Sequence, residues 1–179
     1  MIMKRIFLIF VFFLLISQVS AVEIRGVDFE IPDKYSDGEL KSYGYIFEKE
    51  NTFSILCIDY SMQKYAEWAY ESIYSENISI GSHEAVHYVN PGNISHLVFS
   101  VGNSIFCISW NSSELTPEIE KLVKDSPDSN LTSSKFYSKL ENELAEYISE
   151  KEIEEETVYP GDFDWDDYDW DYDWDYDWY

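Results

Sequence analysis

Three histidines lie close together in the chain, and the first two have the spacing of a zinc-binding pair. His83 and His87 flank Glu84 in the pattern H-E-x-x-H, and His96 follows nine residues later. On a helix, residues four apart lie on one face about 6 Å from each other, so both rings can reach one zinc ion and the glutamate can act as general base. The pattern therefore supports one hypothesis, a small secreted zinc metallopeptidase that uses these residues.

The local sequence favours a strand over the helix that this chemistry needs. Five nearby residues are β-branched or aromatic: Ile78, Ile80, Val86, Tyr88 and Val89. The turn signal at residues 90–92 limits any helix to about two turns. On a strand, four steps of about 3.3 Å put His83 and His87 roughly 13 Å apart, too far to share one ion. We therefore expect no metal cofactor, and zinc bound by His83 and His87 is the alternative.

Two similar stretches predict the sheet that must position these residues. Residues 54–61, "SILCIDYS", and residues 104–111, "SIFCISWN", carry a cysteine, flanking apolar residues and a closing aromatic at matching places. A second strand-like run precedes each stretch. The pattern predicts two hairpins, which pair residues 43–47 with 53–60 and residues 94–101 with 105–110.

Helical patterns follow each predicted hairpin. The first has an apolar stripe at helical spacing, formed by Met62, Tyr65, Ala66, Ala69 and Ile73. The second begins at the N-cap Thr116 with Pro117 in the first position, and a third starts near Ser133 and becomes strongly acidic. We predict an α+β fold, an antiparallel sheet built from two hairpin-plus-helix units with the helices on one face, and a disordered acidic tail.

The opening strand carries a recognisable motif. Gly-Val-x-Phe-x-Ile-Pro-x-x-Tyr, from Gly26 to Tyr35, resembles the start of small exported domains of methanogenic archaea, and the resemblance covers roughly residues 23–125. It implies a compact α+β domain and supplies no catalytic residues. We divide the chain into a signal peptide at 1–21, an α+β domain at 22–126, an acidic C-terminal helix at 127–158 and a tail at 159–179.

The N terminus has the parts of an export signal. Lys4 and Arg5 precede an apolar run over residues 6–16, and Val19 and Ala21 fit a cleavage site. We therefore expect a secreted or cell-surface protein. If the signal is retained, it anchors the chain to a membrane, but no later segment is apolar enough to span one.

Cys57 and Cys107 occupy matching places in the two predicted hairpins. In an exported chain they can form one disulfide if their strands are neighbours, and the alternative is two buried thiols. Four N-x-S/T sequons are candidate glycosylation sites, at Asn77, Asn93, Asn111 and Asn130.

Charge narrows the classes of partner. The formal net charge is −23, and residues 141–179 contain 17 acidic residues against one base, Lys151. Such a surface repels nucleic acid and anionic lipids, because phosphate binding relies on clustered Lys and Arg. Cationic partners are the compatible ones.

The C-terminal tail has the most unusual composition. Residues 162–179 contain nine aspartates and nine aromatic residues. Repulsion between carboxylates favours a disordered chain over a strand. The rings can stack on sugars or receive cations, and the carboxylates attract Lys, Arg or, weakly, divalent ions. The candidate binding residues are Trp165, Trp170, Trp174 and Trp178.

These observations lead to one main hypothesis and two rivals. The main hypothesis is an exported, non-catalytic domain whose tail adheres with low affinity to a cationic protein surface or cell-wall polymer. The first rival is the zinc metallopeptidase. The second is a structural protein whose folded body does the work while the tail is inert.

Overall fold

The computed structural model describes residues 21–158. The predicted signal peptide, apart from its last residue Ala21, lies outside the described residues. So does the predicted tail at 159–179, with Trp165, Trp170, Trp174 and Trp178.

The described chain combines an antiparallel sheet with helices, so the α+β class is as predicted. Seven strands form the main sheet, in the spatial order β3 (Glu39–Lys41), β4 (Gly44–Phe47), β5 (Phe53–Cys57), β9 (Ser104–Asn111), β8 (Ile94–Val101), β7 (His83–Asn90) and β6 (Tyr74–Ile80). A separate hairpin consists of β1 (Ala21–Ile24) and β2 (Val27–Glu30). The helices are α1 (Met62–Tyr70), α2 (Pro117–Asp125) and α3 (Ser133–Val158), and two 3₁₀ turns span Asp33–Tyr35 and Ile58–Tyr60.

Local sequence signals account for several of these boundaries. β4 pairs with β5 and β8 pairs with β9, as the hairpin patterns predict. The Thr116 hydroxyl accepts a hydrogen bond from the Ile119 N–H, so Thr116 caps α2 as expected, and Pro117 is the first helical residue. Beyond the two predicted hairpins, β6 pairs with β7 at one edge of the sheet and β3 pairs with β4 at the other.

The sheet is buried on both faces. One face, which we call the hairpin face, packs Phe99 and Phe106 against Phe29 of β2 and Leu122 of α2. The Phe29 and Phe106 rings meet edge to face with 5.1 Å between centroids. Strands buried on both sides read as near-continuous apolar runs, which explains the composition of β8 and β9.

The opposite face, which we call the helical face, is covered by α1 and α3. Val98 and Cys107 of the sheet pack there against Tyr65 of α1 and Phe136 and Leu140 of α3. The prediction that the helices share one face is therefore wrong, because α2 lies on the hairpin face. The two hairpins are followed by helices on opposite sides, and the sheet gains a core on each side.

The Gly26–Tyr35 motif supplies core residues. Gly26 has a φ of +79° in the β1–β2 turn, a conformation that glycine adopts without strain. Phe29, Ile31 and Tyr35 are buried, and the Tyr35 ring stacks on Phe53 at 4.2 Å. The motif therefore closes one edge of the core on the hairpin face.

Helix α3 is packed at its start and exposed towards its end. Phe136 and Leu140 are buried, Leu144 and Tyr147 are partly buried, and Ile153 is 60% exposed. The first turns of this acidic helix thus belong to the domain core. Within residues 21–158, no helix combines the length and apolarity needed to cross a membrane.

The two cysteines lie on opposite faces of the sheet. Their strands are neighbours, as a bridge requires, but the register pairs Cys57 with Phe106 and Leu56 with Cys107. Adjacent positions on a strand point to opposite faces, so this one-residue offset separates the thiols. Both are free and buried, so the structure has the two buried thiols of the alternative and no bridge between them.

We expect both thiols to resist alkylation in the native protein. Burial raises the pKa of Cys107 to about 12 and raises the pKa of Cys57 above its ordinary value, so little reactive thiolate forms. Urea without reductant should make both cysteines reactive to iodoacetamide, as measured by intact mass. A mass increase that requires prior reduction would instead reveal a bridge.

Candidate functional site

The H-E-x-x-H residues lie on strand β7, as the β-branched composition predicts. His83 and His87 project to the hairpin face, whereas Glu84 projects to the helical face, because side chains alternate along a strand. The two histidines are four positions apart along the strand, and the Glu84 carboxylate is on the other side of the sheet. These residues do not fit the zinc site of a metallopeptidase.

His96 does not complete such a site either. It lies on the helical face of β8, where its partner across the ladder is Tyr88. Among the described residues, no group of three or more His, Cys, Asp or Glu side chains is arranged to hold a metal ion.

His83 lies within hydrogen-bonding distance of both the sheet and the segment between α2 and α3. Its Nδ1 lies 3.0 Å from the Ser100 carbonyl oxygen, and its Nε2 lies 3.4 Å from the Ser126 carbonyl oxygen. The ring also meets Phe99 edge to face. Buried polar groups need such partners, so His83 is a structural residue.

Glu84 forms hydrogen bonds with the start of α3 on the helical face. Its carboxylate accepts hydrogen bonds from Ser133 at 3.4 Å, from Tyr137 at 3.1 Å and from Ser79 at 3.3 Å. Burial, followed by the contact with Glu84, raises the pKa of Tyr137 to about 12, so the phenol stays a donor. The presumed general base of the metallopeptidase hypothesis is thus a docking point for a helix.

His87 lies between a serine and a carboxylate, the order of groups found in a hydrolase triad. Its Nε2 is 2.9 Å from the Ser95 hydroxyl, and its Nδ1 is 3.7 Å from the Glu76 carboxylate. The Trp110 indole stacks on the ring with 5.6 Å between centroids. Burial lowers the pKa of His87 and Glu76 partly opposes this, so the ring is neutral at neutral pH and the Glu76 contact is not an ion pair there.

The direction of the hydrogen bonds argues against catalysis by this group. The Ser95 hydroxyl donates its one hydrogen to the Ser112 carbonyl at 2.6 Å. His87 Nε2 must therefore donate to Ser95, whereas a general base must accept the serine proton. Ser95 is also fully buried, at 0% exposure. The chain of contacts ties β7, β8 and the residues after β9 together.

His96 is buried beneath α1. Its Nδ1 lies 2.7 Å from the Ser109 hydroxyl, and the Trp68 indole stacks on its ring at 4.5 Å. Burial, with smaller contributions from His87 and Lys64, lowers the pKa of His96 to about 4. All three histidines are therefore packing residues, a role that the H-E-x-x-H spacing conceals.

An acidic cleft lies between α1 and α3. It has a volume of about 300 Å³ and is lined by Gln63, Glu143, Glu146, Tyr147 and Glu150. The α3 residues recur at the spacing of one helix face, which was visible in the sequence but was interpreted there only as an acidic run. Like charges at this spacing destabilise a helix by a few tenths of a kcal/mol per pair, a cost that a bound cation would offset.

The four sequon asparagines are exposed. Asn77 is on β6, Asn93 is in the β7–β8 turn, Asn111 ends β9, and Asn130 precedes α3. Each position is accessible to a glycan, and their use stays a prediction.

We expect Glu84→Ala to destabilise the fold by about 1–2 kcal/mol, because three hydroxyls lose a charged acceptor. Urea unfolding measures this loss, with Glu48→Ala as a control at an exposed position. A fully stable Glu84→Ala protein that had lost a peptidase activity of the wild type would contradict the docking role.

We expect acid to destabilise the protein through His96. Its pKa is depressed in the folded state, so the unfolded chain binds a proton first as the pH falls below about 6.5, and stability is lost down to about pH 4. The loss between about pH 7 and about pH 5 should be roughly 2 kcal/mol. The urea midpoint should therefore change less between the two pH values for His96→Gln than for the wild type. An equal change in the two proteins would contradict the assignment to His96.

Similarity to known proteins gives no indication of function for this chain. Comparison with protein-family models, with curated proteins and with solved structures finds no match. The cleft between α1 and α3 places the carboxylates of Glu143, Glu146 and Glu150 beside the Tyr147 ring, which also contacts Tyr70 and lies 5.8 Å from Lys151 Nζ.

Proposed function

We propose that this chain is an exported, non-catalytic domain at the cell exterior that binds a cationic protein surface or cell-wall polymer with low affinity. The acidic cleft between α1 and α3 carries the proposal. It combines carboxylates with an aromatic ring, and both groups attract ammonium and guanidinium ions.

Surface charge supports a cationic partner. Residues 21–158 contain 26 acidic residues and 10 basic ones, a difference of 16 negative charges. Seven of the nine lysines in this range already form ion pairs with carboxylates. The excess carboxylates create a negative potential that draws cations and repels polyanions such as nucleic acid.

The tail repeats the chemistry of the cleft. Residues 162–179 consist of nine aspartates and nine aromatic residues, and they begin four positions after the last residue of α3. Many weak carboxylate and ring contacts add up when they are linked in one chain. We infer that Trp165, Trp170, Trp174 and Trp178 extend the binding surface that begins at Tyr147.

The buried histidines favour a binding role over an enzymatic one. The hydrogen bonds of these residues are structural. His83 contacts the sheet, Glu84 contacts the start of α3, and His87 contacts the neighbouring strand β8. These contacts do not form the zinc site that the metallopeptidase requires.

The proposal predicts a graded loss of binding to immobilised poly-lysine. The triple variant Glu143→Gln, Glu146→Gln, Glu150→Gln should bind several-fold more weakly, and deletion of residues 160–179 should weaken binding further. Salt at about 0.5 M should remove most of the remainder, because the Debye length falls to about 4–5 Å. Surface plasmon resonance measures all three effects.

A matched control separates the cleft from overall charge. The variant Glu23→Gln, Glu48→Gln, Glu50→Gln removes the same charge from exposed positions away from α3 and should bind almost as well as the wild type. Equal losses in both triple variants would show a nonspecific charge effect. Binding that survives both the α3 variant and the tail deletion would refute the proposal.

A further inference from the structure

Strand β6 presents a long open edge of the sheet. It ends the strand order, is seven residues long, and is exposed at every position from Tyr74 to Asn77. It contains neither proline nor lysine, the residues that commonly protect such edges. The other edge, β3, has three residues and carries the Glu39–Lys41 ion pair.

The turn that joins β6 to β7 shows which backbone groups face outward. Ile80 pairs with His83 across the two-residue turn, and such a closing pair is hydrogen-bonded. The Ile73 N–H donates to the Val89 carbonyl at 2.8 Å, so Val89 also directs its polar groups towards β6. The inward positions of β6 are therefore the even-numbered ones, and the outward N–H and C=O groups belong to Ser75, Asn77 and Ser79.

These outward groups are self-complementary. If a second β6 runs antiparallel with Asn77 opposite Asn77, Ser75 lies opposite Ser79, and all three pairs can form hydrogen bonds. In the same register Glu76 lies opposite Ile78, so no like charges face each other directly. Tyr74 lies opposite Ile80, which continues the apolar row of the hairpin face across the axis.

We propose that β6 pairs antiparallel with β6 of a second copy of this chain, centred on Asn77, and joins two sheets into one. Exposed apolar residues at the strand start support a second copy, since Ile73 and Tyr74 are 69% and 50% exposed. The interface is small and both copies are negatively charged. The association is therefore weak, and added salt strengthens it by screening repulsion.

The test uses sedimentation equilibrium of the full mature chain, made without glycosylation because a glycan on Asn77 would stand at the axis. Asn77→Lys and Asn77→Asp should each weaken self-association by about tenfold, because each places like charges opposite each other. An equimolar mixture of the two variants should restore association at least to the wild-type level, since opposite charges then meet. This reciprocal rescue is specific to a residue that faces its own copy.

The control is Asn111→Lys, which makes the same charge change at an exposed residue of β9 and should leave association unchanged. Deletion of residues 160–179 should also leave the dimer intact. In about 0.5 M salt, which screens the charge of the tail, a full chain that stays monomeric to about 1 mM and dimerises only without residues 160–179 would identify the tail as the occupant and overturn the proposal. The proposal would also be overturned if Asn77→Lys left self-association unchanged, or if mixing Asn77→Lys with Asn77→Asp did not restore it.

Discussion

The alternation of side chains along the central strands determines most of this structure. Because β7, β8 and β9 are covered on both sides, most of their residues contribute to one of two cores, and neighbours in sequence contribute to different ones. The H-E-x-x-H residues illustrate the effect. His83 meets the α2–α3 connection on one face, and Glu84 meets the start of α3 on the other. On a helix this motif would place both histidines and the glutamate near one metal ion, whereas on a strand it places them on two faces of the sheet.

Burial of three histidines is tolerated because each ring has a hydrogen-bond partner and an aromatic neighbour. His87 contacts Ser95 and Trp110, and His96 contacts Ser109 and Trp68. Burial lowers the pKa of His87 and of His96, because the charged form of each ring loses solvation that these partners do not replace. The three histidines are between 1% and 5% exposed, so little of any ring is accessible to a substrate.

Local signals in the sequence identified strands, caps and turns, but they did not show which face of the sheet each helix or side chain would cover. The β-branched residues around His83 correctly indicated a strand, and Thr116 with Pro117 correctly marked a helix start. The sequence could not show that Cys57 and Cys107 lie on different faces, because equivalent places in two hairpins need not share a face and the register between β5 and β9 is offset by one residue. The acidic cleft was missed because its lining depends on how α1 packs against α3, a nonlocal feature.

Charge acts in opposite directions on the two proposed surfaces. The excess of carboxylates favours a cationic partner at the cleft, but it opposes the approach of a second negatively charged copy at β6. Neutralisation of α3 and the tail by a cationic partner would remove part of that repulsion. Binding at the cleft would then favour edge pairing without any change in the fold, and by linkage the dimer would bind the partner more tightly. On a polymer with repeated positive charges, such coupling would gather copies of the domain side by side.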